Sequence, residues 1–206
     1  MNNFTVPYYM DPIKRQEKSF IPTKYGEFDM YAYAAHAQEK MPHLALSSRS
    51  LDITDSVYLR IHSECITGDL FSSRRCDCGE QLDESLRIVQ QKNGLLIYLR
   101  QEGRGIGIIN KMKAYNHQDE GLDTIDANTK LGFKSDERQY DHAITIIKDL
   151  GISSIRLITN NPEKINSFVN SGIEVIERIP LIIEANSVNR SYLDTKKKLM
   201  GHLMQE

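Results

Sequence analysis

Between Ser56 and Ile176, short apolar runs alternate with segments whose apolar residues recur every three or four positions, and few architectures accommodate that alternation. Ser56–His62 alternates with period two, as a half-buried strand does. Leu82, Leu86 and Val89 predict a helix over Glu80–Gln91, stopped by Asn93-Gly94, and Leu95–Leu99 is the continuous apolar run of a buried strand. A glycine-rich turn, Arg100–Gly107, leads into a predicted helix from Ile108 to Gln118, whereas residues 119–135 read as turns and a short polar stretch. Arg138–Leu150 is amphipathic, with Ala143, Ile146, Ile147 and Leu150 on one face and Gly151 as its C-cap. A strand at Ile155–Ile158, a helix at Pro162–Asn170 with Ile165, Phe168 and Val169 inward, and a strand at Ile173–Ile176 complete the series. Strands and helices in this order predict an α/β fold, a mixed sheet flanked by helices in a single domain.

The N-terminal third is less patterned. Residues 1–20, with Asp11-Pro12 and a mixed-charge KRQEK run, read as a flexible arm. A turn at Lys24-Tyr25-Gly26 precedes a strand carrying Phe28, Met30, Tyr31 and Tyr33, and residues 34–56 hold one or two short strands. One domain is expected over residues 21–185. The tail, 186–206, with its Lys196–Lys198 run, is expected to be a solvated helix or a mobile end.

Charge narrows the function. The 26 basic and 28 acidic side chains of the 206 residues leave a formal net charge of −2, so no global cationic field exists to bind nucleic acid or a membrane surface. Any anionic ligand must be held locally. No apolar stretch approaches the roughly 18 residues of a membrane span, and residues 1–20 lack the apolar region of a secretory leader, so a cytoplasmic protein is expected.

The three cysteines, Cys65, Cys76 and Cys78, fall within 14 positions in the spacing C-x10-C-x-C, and an odd, crowded set is poor material for a disulfide framework. Structural zinc sites use four protein ligands, whereas catalytic ones use three and keep a position for water. Three thiols point to the open kind; three unrelated buried thiols, or a closed site completed by His62, are the alternatives. On a continuing strand His62 and Cys65 would face opposite sides, unless a turn intervenes. His62-Ser63-Glu64 is also similar to the H-x-E of zinc nucleobase deaminases, but no proline precedes Cys76 and the pair is C-x-C.

Eight strings carry a resemblance: RIHSEC (Arg60–Cys65), TGD (Thr67–Asp69), RCDCG (Arg75–Gly79), RQEGRGIG (Arg100–Gly107), NKMKAY (Asn110–Tyr115), LGFKSDER (Leu131–Arg138), LITNNPEK (Leu157–Lys164) and YLDTKKKLMGH (Tyr192–His202). In this order and spacing, from about Ile21 to His202, the chain resembles GTP cyclohydrolase II. The family is often fused to a dihydroxybutanone phosphate synthase domain, for which 206 residues leave no room. The resemblance implies the first step of riboflavin biosynthesis: GTP loses C8 as formate and its outer phosphates as pyrophosphate, leaving a diaminopyrimidinone ribosyl phosphate. It further implies a homodimer, one Zn2+ per subunit, and Mg2+ with the triphosphate.

Carried over residue by residue, the resemblance implies that Cys65, Cys76 and Cys78 hold zinc, whose water attacks C8 of the guanine. Arg60, Ile61, His62, Ser63, Glu64, Gln81, Glu102, Gly103, Arg104, Thr124, Thr159 and Lys164 would contact GTP. Tyr115 would stand beside the ring-opening site, Asp136 would accept a proton, and Arg138 would act at the α-phosphorus. Guanidinium stays protonated and is a poor nucleophile, but it suits stabilisation of phosphoryl charge. Asp136 and Arg138 share a side only if the backbone there is extended; otherwise Ser135 would be the N-cap of a helix with acids in its first turn.

Two anion features rest on the residues themselves. Asn161 and Pro162 suit the cap and first position of a helix whose free N–H groups attract phosphate, and Lys164 in its first turn is disfavoured unless an anion joins it. The glycines of RQEGRGIG let backbone approach a ligand, and Glu102 would match the guanine N1–H and amine. Arg74, where the family has an apolar residue, and residues 34–56 depart from the pattern. A paralogue stopping at a formamide, or a non-catalytic nucleotide-binding protein with structural zinc, are the alternative readings.

Overall fold

In a computed structural model, described over residues 12–190 together with Lys197, Gly201 and Leu203, seven strands form one sheet. Its strands are β1 (Lys14–Thr23), β2 (Gly26–Ala34), β3 (His43–Ser48), β4 (Val57–Ser63), β5 (Leu95–Leu99), β6 (Ser154–Ile158) and β7 (Glu174–Ile179), in the spatial order β1-β2-β3-β5-β4-β6-β7. From β1 through β5 the neighbours are antiparallel; β5, β4, β6 and β7 are mutually parallel. The sheet is thus mixed, as the alternation of elements predicts.

The period-two pattern builds two cores. Leu95, Ile97 and Leu99 of β5 point to one face, where they pack with Leu59, Ile61, Leu157 and with Ala143, Ile146 and Ile147 of helix α5 (Asp141–Asp149). Leu96 points to the other face and joins Phe28, Val89 and Ile158 under helix α2 (Cys78–Gln91). Burying a Leu or Ile side chain contributes about 1.5–3 kcal/mol, so sheet and helices hold each other in place.

Several expectations are corrected. Lys14–Phe20, expected in an arm, belong to β1, because β2 offers them a backbone ladder that needs no apolar periodicity of their own. Residues 1–11 lie outside the described residues, as does most of the Tyr192–His202 string. In the tail, Asn189 is buried and the Leu203 N–H donates to the Asn160 carbonyl, so part of it packs on the domain. Residues 124–130, expected as turns, form helix α4 (Thr124–Lys130), capped by Asp123, whose carboxylate accepts from the Ile125 and Asp126 N–H groups. Helix α5 starts at Asp141, not Arg138, and Ser135 caps nothing. Val169, expected inward, is exposed, since helix α6 (Pro162–Asn166) ends before reaching it.

Candidate active site

Three parallel strands, β5, β4 and β6, lie side by side and end on the same edge of the sheet. Ligands of open α/β sheets bind outside the carboxyl ends of their strands. Here the residues after β4 are Glu64 and Cys65, those after β5 begin the glycine-rich turn, and those after β6 are Thr159 to Lys164. Between them opens a cleft enclosing about 1030 Å³ of space, solvent at its mouth included, ample for a nucleotide. Every residue expected at the site lines this cleft except Ile61 and Asp136.

Cys65 follows β4 and opens the short helix α1 (Ile66–Asp69), while Cys76 and Cys78 lie at the start of α2. Their three sulfurs lie within 4.8 Å of one another, with Cys65 and Cys76 Sγ 3.6 Å apart. Thiolates around a tetrahedral zinc with bonds of about 2.3 Å would be spaced by about 3.8 Å, so the donors fit that ion. Two glycines make the approach of α1 and α2 possible: a Cβ on Gly79 would lie 2.5 Å from the Gly68 carbonyl oxygen, and one on Gly68 would lie 2.9 Å from Cys76 Sγ. Bonds from the Cys76 and Cys78 thiols, then the Lys111 ammonium, draw the Cys65 thiol far toward thiolate. The hydrogen bond to Cys65, with burial, in turn pushes Cys76 up to about 11, and bonds to Cys65 and Cys76, with burial, raise Cys78 well above an ordinary thiol. For all three to be thiolates at this spacing, a cation would have to join them.

His62 does not complete the cluster, which among the described residues consists of the three sulfurs. Its Nε2 faces the Asp69 carboxylate at 3.0 and 3.1 Å; Asp69 also accepts from Tyr98 Oη and the Cys65 N–H. Burial lowers the His62 pKa against the pull of Asp69, which favours a neutral ring donating from Nε2. Ile61 offers its carbonyl, not its side chain: the side chain is in the core, and the carbonyl accepts from Lys164 Nζ at 2.6 Å.

The glycine-rich segment forms a 3₁₀ turn, Glu102–Gly105, before helix α3 (Gly107–Asp119). Gly103, Arg104 and Gly105 all have positive φ; for Arg104, at 63°, this is strained backbone at the site. The turn is strapped to the segment before α5, since the Arg104 carbonyl accepts from the Glu137 N–H and the Gln101 Oε1 accepts from the Gln139 N–H. That segment is not helical, so Asp136 and Arg138 share a side and pair: Arg138 Nε lies 2.9 Å from Asp136 Oδ1. Burial works against the Asp136 charge, but Arg138 outweighs it and holds the carboxyl below its usual range.

Other expected groups take the following positions. Glu102 accepts from Ile66 N–H at 2.6 Å, Gly103 N–H at 2.7 Å and Lys111 Nζ at 2.8 Å, so much of its bonding capacity is used within the protein. Arg60 donates to Gln81 Oε1 and to the Ile158 carbonyl, and Glu64 accepts from Arg100 at 2.6 Å. Burial pushes the Tyr115 phenol up to about 12, against Lys111, and the Arg75 guanidinium lies 4.8 Å over its ring. Asn161 caps α6 by accepting from the Glu163 N–H, but with five residues that helix is short for a macrodipole site. Five cations line the cleft (Arg60, Arg104, Lys111, Arg138, Lys164) against the carboxylates Glu64 and Glu102, a positive interior in a chain of net charge −2.

Residue-by-residue reasoning missed Lys111, Asn128 and Asn160, all buried at the cleft. Lys111 belongs to the Asn110–Tyr115 string, but no local pattern marks its ammonium as functional. Asn128 belongs to helix α4, for which the Asp123 cap is the local signal.

The family profile described as GTP cyclohydrolase II matches residues 14–180. A "GTP cyclohydrolase-2" of Hahella chejuensis is 51% identical over 185 residues, covering 89% of each chain. The protein of that name from Buchnera aphidicola is 49% identical over 189 residues, covering 91% of this chain and 96% of that one. A "Riboflavin biosynthesis protein RibBA" of Chlorobium phaeovibrioides is 48% identical over 193 residues; the chain spans 47% of that protein's length. Fold, ordered motifs and these likenesses agree, and the chain belongs to the GTP cyclohydrolase II family.

Proposed function

We propose that this chain hydrolyses GTP, releasing C8 as formate and the outer phosphates as pyrophosphate, to give 2,5-diamino-6-ribosylamino-pyrimidinone 5'-phosphate at the start of riboflavin biosynthesis. The observation that carries the proposal is one cleft that holds a three-thiol cluster, with Cys65 and Cys76 buried, at one place and Arg104, Arg138 and Lys164 at others.

Cys65, Cys76 and Cys78 would hold zinc. Zinc on three protein ligands keeps a position for water and lowers its pKa toward about 7, which supplies a nucleophile at neutral pH. Glu102, fixed by the Ile66 and Gly103 N–H groups and the Lys111 ammonium, would accept from the guanine edge with the one acceptor site left on Oε2. Tyr115 lines the same cleft as the cysteines, and its raised pKa keeps its proton available. Arg104, Lys164 and Arg138, with Mg2+, would neutralise the triphosphate. Asp136 holds the Arg138 guanidinium in place as an electrostatic stabiliser.

Among the described residues no helix is long and apolar enough to cross a membrane. A cytoplasmic homodimer is part of the proposal; exposed Leu70, Phe71, Ile109 and Met112 are apolar surface that such an assembly would bury. The deciding experiment is incubation of the pure protein with GTP, Zn2+ and Mg2+, with formate, pyrophosphate and product mass measured. Absence of both small products overturns the proposal. A formamide product would identify a paralogue that stops part-way.

A further inference from the structure

Lys111 is a lysine whose side chain is only 10% exposed, set in the second turn of α3. Its ammonium has three protons, and three acceptors surround it: Cys65 Sγ at 3.1 Å, Thr67 Oγ1 at 2.9 Å and Glu102 Oε1 at 2.8 Å. These acceptors come from three places, the end of β4, helix α1 and the 3₁₀ turn. A methionine would fill the same volume without charge, so packing alone does not explain the residue.

We infer that Lys111 is a positioning residue that weakens Cys65 as an electron donor to the metal and locks the metal loop to Glu102. The inference rests on the proposed zinc site. Three thiolates and a dication sum to one negative charge, and Glu102 adds another; the ammonium offsets one of them inside a buried cleft. A charge-assisted N–H···S bond draws electron density from sulfur, so a dication held by that sulfur stays more electrophilic. Among the described residues this bond from a cation reaches Cys65 and neither of the other two cysteines, which makes the three ligands unequal. The same ammonium fixes Glu102 Oε1, so the guanine-facing carboxylate and the metal loop keep one relative position.

The test replaces zinc by cobalt(II) in the full chain and reads the sulfur-to-cobalt charge-transfer band without GTP, in wild type, Lys111→Met, Lys111→Gln and Lys111→Arg. The band is expected at lower energy in Lys111→Met and Lys111→Gln, because the sulfur electrons are no longer held by the ammonium, and back near the wild-type position in Lys111→Arg. With zinc, kcat is expected to fall about 10–100-fold in the neutral variants with a smaller change in KM, and to be partly restored in Lys111→Arg. An identical band in wild type and in whichever neutral variant folds overturns the inference. Absence of any thiolate-to-cobalt band in wild type overturns the zinc reading itself, a separate failure.

Discussion

Asp136 and Arg138, two positions apart, form a chelated ion pair, with Arg138 Nε 2.9 and 3.1 Å from the two Asp136 oxygens. The pair exists because helix α5 begins three residues later, at Asp141. Arg138→Lys keeps the charge and loses the planar fork, so pyrophosphate release is expected to fall at least about 100-fold, and Asp136→Asn is expected to cost less. Pyrophosphate assays on both variants check the order. The Asp136 carboxyl is held below its unfolded value, so its contribution to stability is full above about pH 3.9 and lost as pH falls through the folded value. Acid titration of wild type against Asp136→Asn reads this directly.

Cys76→Ser removes one sulfur of a cluster whose members lie within 4.8 Å. Zinc content is expected to drop and formate release to vanish, while pyrophosphate release, if it draws on Arg138 and Lys164 as proposed, persists. Metal analysis and product assays of the folded variant decide it. Loss of fold would mark the metal as structural.

Gly79→Ala would place a methyl 2.5 Å from the Gly68 carbonyl oxygen, backbone that cannot swing aside. Helices α1 and α2 must separate, carrying Cys65 away from Cys76 and Cys78. We expect at least tenfold weaker zinc binding in a chelator competition, with a stability loss of about 1–3 kcal/mol typical of overpacking.

Arg104 has φ 63° between two glycines that also have positive φ. Arg104→Ala keeps the strain and Arg104→Gly relieves it, so the glycine variant is expected to be more stable than the alanine variant by about 1 kcal/mol. Both are expected to lose GTP affinity. Urea denaturation and GTP titration of the two variants separate strain from function.

His43 accepts the Arg100 N–H at Nδ1 and meets His142 at Nε2, both near 3 Å. Burial, then His142 and Arg100, push its pKa down to about 4. Its protonation therefore favours the unfolded chain: stability is full above about pH 6.5 and declines toward pH 4, by about 3 kcal/mol at most. The decline in denaturant midpoint over this range is expected to flatten in His43→Gln.

Helix α2, strands β4, β5 and β6, and the cap at Asn161 were legible because each is written in neighbours a few positions apart: an apolar repeat, a turn residue, a capping side chain. Strand β1 was not legible, since Lys14–Phe20 owe their conformation to β2. Helix α4 was missed because Ala127 and Asn128, its buried residues, make no apolar stripe. The ordered strings carry the family, and the three cysteines are a local pattern that suggests a metal. The meeting of Cys65, Glu102 and Lys164 in one cleft follows from the strand order β5-β4-β6, which sets the segments after Ser63, Leu99 and Ile158 side by side. Sheet order is a choice among long-range pairings, and so are the inward turns of Lys111 toward Cys65 and Lys164 toward Ile61. Local periodicity carries no information about these two contacts, because Cys65 lies 46 positions from Lys111 and Ile61 lies 103 from Lys164 in the chain.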